Sequence, residues 1–355
     1  MTMAKRKSSQ DDSAETGEGG PEAGLHPRKT RQLYGHEEAE NTFLRAFQGG
    51  MLHHAWLLTG EQGIGKATFA YSAARFLLSQ EAAGQSPHTI PEAHGTPAAR
   101  QIAARAHSSL FVLDETATST ASIGVDEVRK LRSFLSLTSP TGWRAMIVDP
   151  ANSLTIASAN ALLKAVEEPP PRTVFFLISH GAAAVMPTIR SRCVRLSFKP
   201  LSMQNFTSAV LAACETAQAE APGAAALGTL YVLSAGSPGR ALNFIIGGLF
   251  PLAEKLGKIF DGLPRMDFGL VHELIQAASG ARNAQAFGRL CDLIETRIEL
   301  MARQQLSQPA ASAVWAKLWQ TMRQRRLELE ALNLDKGAFL LSVFSDMERA
   351  MRKPR

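Results

Sequence analysis

Cysteine is scarce: the 355 residues hold three, Cys193, Cys214 and Cys291, far apart and in no metal-ligand spacing. That argues against a disulfide framework or a cysteine-type zinc site, and it fits a reducing cytoplasm. No run approaches the ~20 apolar residues of a membrane-spanning helix, and the N-terminus lacks a positive-then-apolar signal design, so no membrane partner is expected. Large apolar side chains are nearly missing from MTMAKRKSSQDDSAETGEGGPEAG, and residues 1–30 are expected to form a disordered tail. Excess charge is also small: a formal +6 permits contact with nucleic acid without requiring it.

What the chain does have is 45% hydrophobic residues, enough for two or three domain cores at this length. Over residues 31–200, short apolar runs alternate with helical patterns, the signature of a parallel sheet wrapped by helices. Five strands are expected: AWLLT (55–59), LFVLDE (110–115), AMIVD (145–149), VFFLIS (174–179) and VRLSF (194–198). Phe69, Ala73, Phe76 and Leu77 should form one buried helical stripe, and Val125, Val128, Leu131 and Leu135 another. A third helix should start at an Asn152 or Ser153 cap and stop at Glu167-Glu168-Pro169. Beyond Pro200 strand-like runs largely vanish, which predicts an all-α unit over 201–255 and a second over 256–355.

GEQGIGKAT (60–68) follows a strand and opens a helix, the setting of a phosphate-binding loop. Gly60, Gly63 and Gly65 allow close backbone approach, and Lys66 supplies a positive charge. The metal-binding hydroxyl is missing, because Ala67 stands in its place; Thr68, one helical position on, is rotated by ~100° and should point elsewhere. A hydrolytic site also needs an acidic strand end. Asp149 stands at the metal position, or caps the next helix, but Pro150 occupies the place of the water-orienting glutamate. The loop reads either as a site that holds nucleotide or as one kept for its shape.

NALLKAVEEPP (160–170), TVFFLIS, TIRSRC (188–193), VRLSF and SAGSPGRAL (234–242) resemble the clamp-loader branch of the AAA+ ATPases, as does YGHEEAENTFLRAFQGGMLHHAWLLTGEQGIGKAT (34–68). The resemblance implies an α/β AAA+ domain with a five-stranded parallel sheet, a helical lid and a helical collar. It implies partners too: other clamp-loader subunits, both ATPase and clamp-opening, with a sliding clamp and primed DNA reached through the complex. Ser191-Arg192-Cys193 matches the motif whose arginine enters a neighbour's ATP site, and Arg240 matches the lid arginine that senses phosphate in cis. Ser179 and His180 fall at the first sensor position.

ATP is then a possible ligand that is not hydrolysed, magnesium is held weakly or not at all, and the chain has no ATPase activity of its own. The alternative is an active AAA+ ATPase acting on DNA or protein, which Lys66 would serve. Many relatives carry a four-cysteine zinc module where this chain has a cysteine-free stretch. His88, His94 and His107 have unsuitable spacing, so no zinc is expected, and Pro87, Pro91 and Pro97 suggest a mobile loop. A third reading, direct DNA binding, would use Arg323–Arg326. Their spacing against Trp315, Trp319 and Leu327 points instead to the outer face of a packed helix.

Overall fold

The computed structural model describes residues 26–79, 90, 95–114, 123–136, 139, 142–180, 185–279, 284–332 and 334–351. Most of the expected tail, together with Pro87, His88, Pro91 and His94, lies outside them. Five strands form one parallel sheet: β1 (Ala55–Thr59), β2 (Leu110–Asp114), β3 (Arg144–Asp149), β4 (Thr173–Ser179) and β5 (Val194–Ser197), in the order β2-β3-β4-β1-β5. Register runs Leu57 to Leu177 and Leu57 to Arg195 across β1, and Val148 to Leu177 between β3 and β4.

Around the sheet pack α1 (Glu37–Gln48), α2 (Lys66–Leu78), α3 (Pro97–Ala103), α4 (Val125–Ser136), α5 (Ile156–Glu167) and the single turn α6 (Pro187–Arg190). Side chains alternate along each strand, so each strand feeds two cores. Trp56, Leu58, Ile147, Phe176 and Ile178 pack with α1 and α2 on one face. Leu57, Met146, Val148, Phe175 and Leu177 pack with α4 and α5 on the other. Burial on both faces is why these strands read as unbroken apolar runs.

The remaining helices are α7 (Met203–Ala217), α8 (Ala224–Leu233), α9 (Pro238–Ile246), α10 (Phe250–Asp261), α11 (Phe268–Ser279), α12 (Ala284–Gln304), α13 (Pro309–Leu332) and α14 (Lys336–Met351). One apolar cluster runs through them from Leu201 to Met347. Trp315 is fully buried there, against Phe260. Among the described residues no helix is long and apolar enough to cross a membrane.

Several local expectations need correction. Helix α2 is buried on all sides, Tyr71, Ala74 and Arg75 included, because it runs under the N-terminal segment as well as over the sheet. In α4 the third buried side chain is Phe134, while Val125 and Leu135 are half-buried. Helix α5 begins at Ile156 with Thr155 as its cap, accepting the Ser158 amide at 3.1 Å; residues 151–153 form a separate 3-10 turn. Asp149 therefore does not cap that helix. Pro97 sits in the first turn of α3, where its missing N–H costs nothing, and Thr96 accepts the Ala99 amide. His26 to Thr30, expected in the tail, pack against the body: Arg28 is buried and its Nε donates to Ala103 O at 3.1 Å.

Candidate functional site

In an open parallel sheet, ligands collect where strands end and the chain order reverses. Here β1 lies between β4 and β5, and the glycine loop leaves its carboxyl end. A cavity of about 870 Å³ opens there. Its floor includes Gly63, Gly65, Lys66, Ala67 and Thr68, one wall includes Asp149, Pro150 and His180, and the rest comes from residues 26–34 and from α7 and α9. Gly63 and Gly65 have φ of +78° and +109°, the left-handed region that glycine adopts without strain. Thr68 lines the cavity beside Ala67.

Lys66 is buried, and its Nζ donates to Gly60 O at 2.8 Å and to Glu61 O. Burial lowers its pKa to about 8, with Asp149 and Glu61 working against that fall. The neighbouring loop carbonyls are also taken. Ser237 Oγ donates to Gln62 O at 2.8 Å, the Gly239 amide to Gly63 O at 2.9 Å, and His36 Nε2 to Ile64 O at 2.6 Å. Five consecutive carbonyls, Gly60 to Ile64, are therefore held by partners from the chain itself.

Arg240, expected to face phosphate, does not line the cavity; its Nη2 donates to Glu61 Oε2 at 3.0 Å. Ser179 is buried at the end of β4, and His180 lines the cavity with a buried Nδ1 that has no hydrogen-bond partner. Burial, with Lys66 and Arg240 nearby, lowers the His180 pKa to about 4, so the imidazole is neutral at pH 7. His107 is placed elsewhere, with Nδ1 accepting the Ser109 amide at 3.1 Å. Among the described residues no cluster of His, Cys, Asp and Glu is placed to hold a metal ion.

The cavity tests the fit of a nucleotide. The glycine floor, Lys66 and the orphaned His180 nitrogen suit a phosphate-bearing ligand. The first turn of α2 offers a methyl group at Ala67 where a metal needs oxygen, and Pro150 has no carboxylate to orient water.

Arg192 stands apart from the cavity lining, just after α6. Its Nη2 lies 2.8 Å from Glu167 Oε1, and its Nη1 donates to Thr188 O at 3.0 Å and to Ser191 Oγ at 3.3 Å. Ser191 Oγ in turn donates to Thr188 O at 3.0 Å. Cys193 is half-buried, its Sγ donates to Ile189 O at 3.1 Å, and burial pushes the thiol up to about 11, so it anchors the turn and is a poor nucleophile.

The arginine-rich stretch is committed within the fold. Arg325 pairs with Asp346, Arg326 with Asp292 and Glu295, and Arg323 stacks over Trp319 at 4.8 Å. Leu327 is exposed, and Met322 and Leu329 take the buried positions expected of it.

Residues 35–202, which include the glycine loop, the cavity wall and Arg192, match the family model described as DNA polymerase III, delta subunit. The chain is 39% identical over 214 residues to DNA polymerase III subunit delta' of Pseudomonas aeruginosa, covering 60% of this chain and 61% of that one. It is 33% identical over 213 residues to subunit delta' of Escherichia coli, covering 59% and 60%. It thus spans about three fifths of the length of these delta' relatives. A DNA polymerase III subunit gamma/tau of Mycobacterium tuberculosis is 27% identical over 278 residues, covering 76% of this chain and 46% of that one. Among solved structures, a DNA polymerase III gamma subunit-related protein of Thermotoga maritima is 16% identical with a TM-score of 0.47, covering 89% of this chain and all of that one.

Sequence reasoning missed Glu61, His36, Arg75 and Ser237. Ser237 had a signal, because Ser-Pro-Gly-Arg is a helix-capping start, and its Oγ does receive the Arg240 amide at 3.4 Å. For Glu61, at a position of the loop where the motif prescribes no residue, there was none.

Proposed function

We propose that this chain is a delta'-type subunit of a DNA polymerase III clamp loader that does not itself hydrolyse ATP and supplies Arg192 in trans to a neighbouring ATPase subunit. Its partners are then the ATPase and clamp-opening subunits, with the sliding clamp and primed DNA reached through the assembly. The observation that carries the reading is a division of labour. The cavity lacks both a hydroxyl at Ala67 and a carboxylate at Pro150, while an exposed guanidinium stands outside it on a short, anchored turn.

Arg192 is suited to such a role because its present partnership is easily exchanged. The pair with Glu167 is exposed on both sides, 41% and 39%, and such surface pairs are worth ~0–1 kcal/mol. A neighbour's phosphate oxygens would replace Glu167 at small cost, and the planar fork can meet two of them at once. Ser191 and Cys193 hold the turn that aims it, through Thr188 O and Ile189 O. In the chain's own cavity, nucleotide would be held by Lys66 and the glycine floor, with Asp149 and His180 facing it and Thr68 beside them.

The rival reading, an active AAA+ ATPase, is favoured by Lys66 and Asp149 lining one cavity. Steady-state ATP turnover by the isolated chain, with and without primed DNA, decides between them. The proposal expects background turnover, and turnover that Lys66→Ala abolishes would overturn it.

A further inference from the structure

Glu61 joins three parts of the molecule that are remote in sequence. One carboxylate oxygen, Oε2, accepts from Arg240 of α9 at 3.0 Å; the other, Oε1, accepts from Arg303 of α12, 242 residues away. Arg303 is itself fixed by Glu299 at 2.6 Å, so charges alternate along Glu299, Arg303, Glu61 and Arg240 from helix α12 to helix α9. The Glu61 and Arg240 side chains are only 21% and 19% exposed, which distinguishes this pair from the loose pairs on the surface, while Arg303 closes the chain from the exposed side at 54%. Glu61 is also tied at its backbone, since Lys66 donates to its carbonyl.

The consequence concerns the cavity. Arg240 follows Pro238 and Gly239, both of which line the cavity, yet neither it nor its partner Glu61 is among the lining residues, and the guanidinium is held by the Glu61 carboxylate. His180 and Lys66 both feel the charge of Arg240, so the guanidinium is close to the cavity it does not enter.

We propose that Glu61 is an internal latch: its carboxylate holds Arg240 in place of a ligand phosphate, and Arg303 of α12 holds the latch shut. A nucleotide phosphate in the cavity competes with Glu61 for Arg240. Opening the latch also removes a partner from Arg303, which links occupancy of the cavity to the end of α12. The inference makes no use of Arg192, so its failure leaves the trans reading untouched.

The test is binding of ATP and of adenosine to the full-length chain by calorimetry, in EDTA and in magnesium. Glu61→Gln keeps the shape of the side chain and removes its charge. ATP should then bind about tenfold more tightly than to wild type, the size of one charge-assisted hydrogen bond gained, while adenosine affinity stays the same. Adding Arg240→Ala should cancel the gain. Arg303→Gln, which leaves the loop itself intact, should give a smaller gain in the same direction and serves if Glu61→Gln fails to fold. Equal ATP affinity in folded Glu61→Gln and wild type, undetectable binding in both included, overturns the latch. So does a gain that adenosine shares or that survives Arg240→Ala.

Discussion

The backbone amide of Gly239 donates to the carbonyl of Gly63 at 2.9 Å, bringing the start of α9 onto the glycine loop with no side chain between them. A Cβ on residue 239 would meet Gly63 Cα at 2.8 Å and Gly63 O at 2.9 Å, and both are backbone atoms that cannot turn aside. Gly239→Ala should therefore push α9 off the loop even though alanine suits a helix better than glycine. Overpacking of this kind costs about 1–3 kcal/mol, against up to ~1 kcal/mol of helix propensity gained. Thermal unfolding should show a lowered Tm, and amide exchange at residues 60–65 should quicken. An unchanged Tm would mean that the contact contributes nothing.

Arg75 is buried in α2 and holds the N-terminal segment by its carbonyls: Nη1 donates to Arg28 O at 3.1 Å and Nη2 to Thr30 O at 3.0 Å, with Ser72 Oγ as a further acceptor at 2.8 Å. Burial lowers its pKa to about 10, still well above neutrality, so it stays charged. Arg75→Met keeps the length and removes the donors, leaving those acceptors short of a partner at about 1–3 kcal/mol each. Trypsin should then cleave after Arg28, Lys29 or Arg31 much faster than in wild type. Equal cleavage rates would show that the segment is held by something else.

His180 and His26, both facing the cavity, titrate at about 4, below the ordinary 6.5, chiefly because burial disfavours the imidazolium. A lowered pKa in a base means that the unfolded chain takes up the proton first. Their contribution is constant above pH 6.5 and is lost progressively as the pH falls from 6.5 towards 4. Denaturant midpoints measured between pH 8 and pH 4.5 should fall below pH 6.5, and His180→Gln should make that fall shallower. A profile identical to wild type would remove His180 from the account.

The strands were legible because both sheet faces are buried: AWLLT, read as an apolar run, coincides with β1. The loop was legible from its glycine spacing, and the change to an all-helical texture after Pro200 is visible in composition. Other features depend on partners that no local pattern names. Arg28 and Arg75 are charged residues that a sequence reading places at the surface, yet carbonyls from another segment satisfy them in the interior. The pairing of Glu61 with Arg303 spans 242 residues and leaves no periodic trace.

The central claim is that the chemistry of this chain is expressed in a neighbour's active site. The direct measurement is the clamp- and DNA-stimulated ATPase rate of the reconstituted loader carrying Arg192→Ala, with assembly checked by gel filtration and Arg192→Lys alongside. Arginine fingers are worth ~10³–10⁵ in rate where one site carries all the turnover, and other sites of the assembly can mask part of that loss. The account predicts intact assembly with ATPase reduced at least tenfold by Arg192→Ala, and little rescue by lysine, which lacks the planar fork. Wild-type ATPase from a fully assembled Arg192→Ala complex would contradict it.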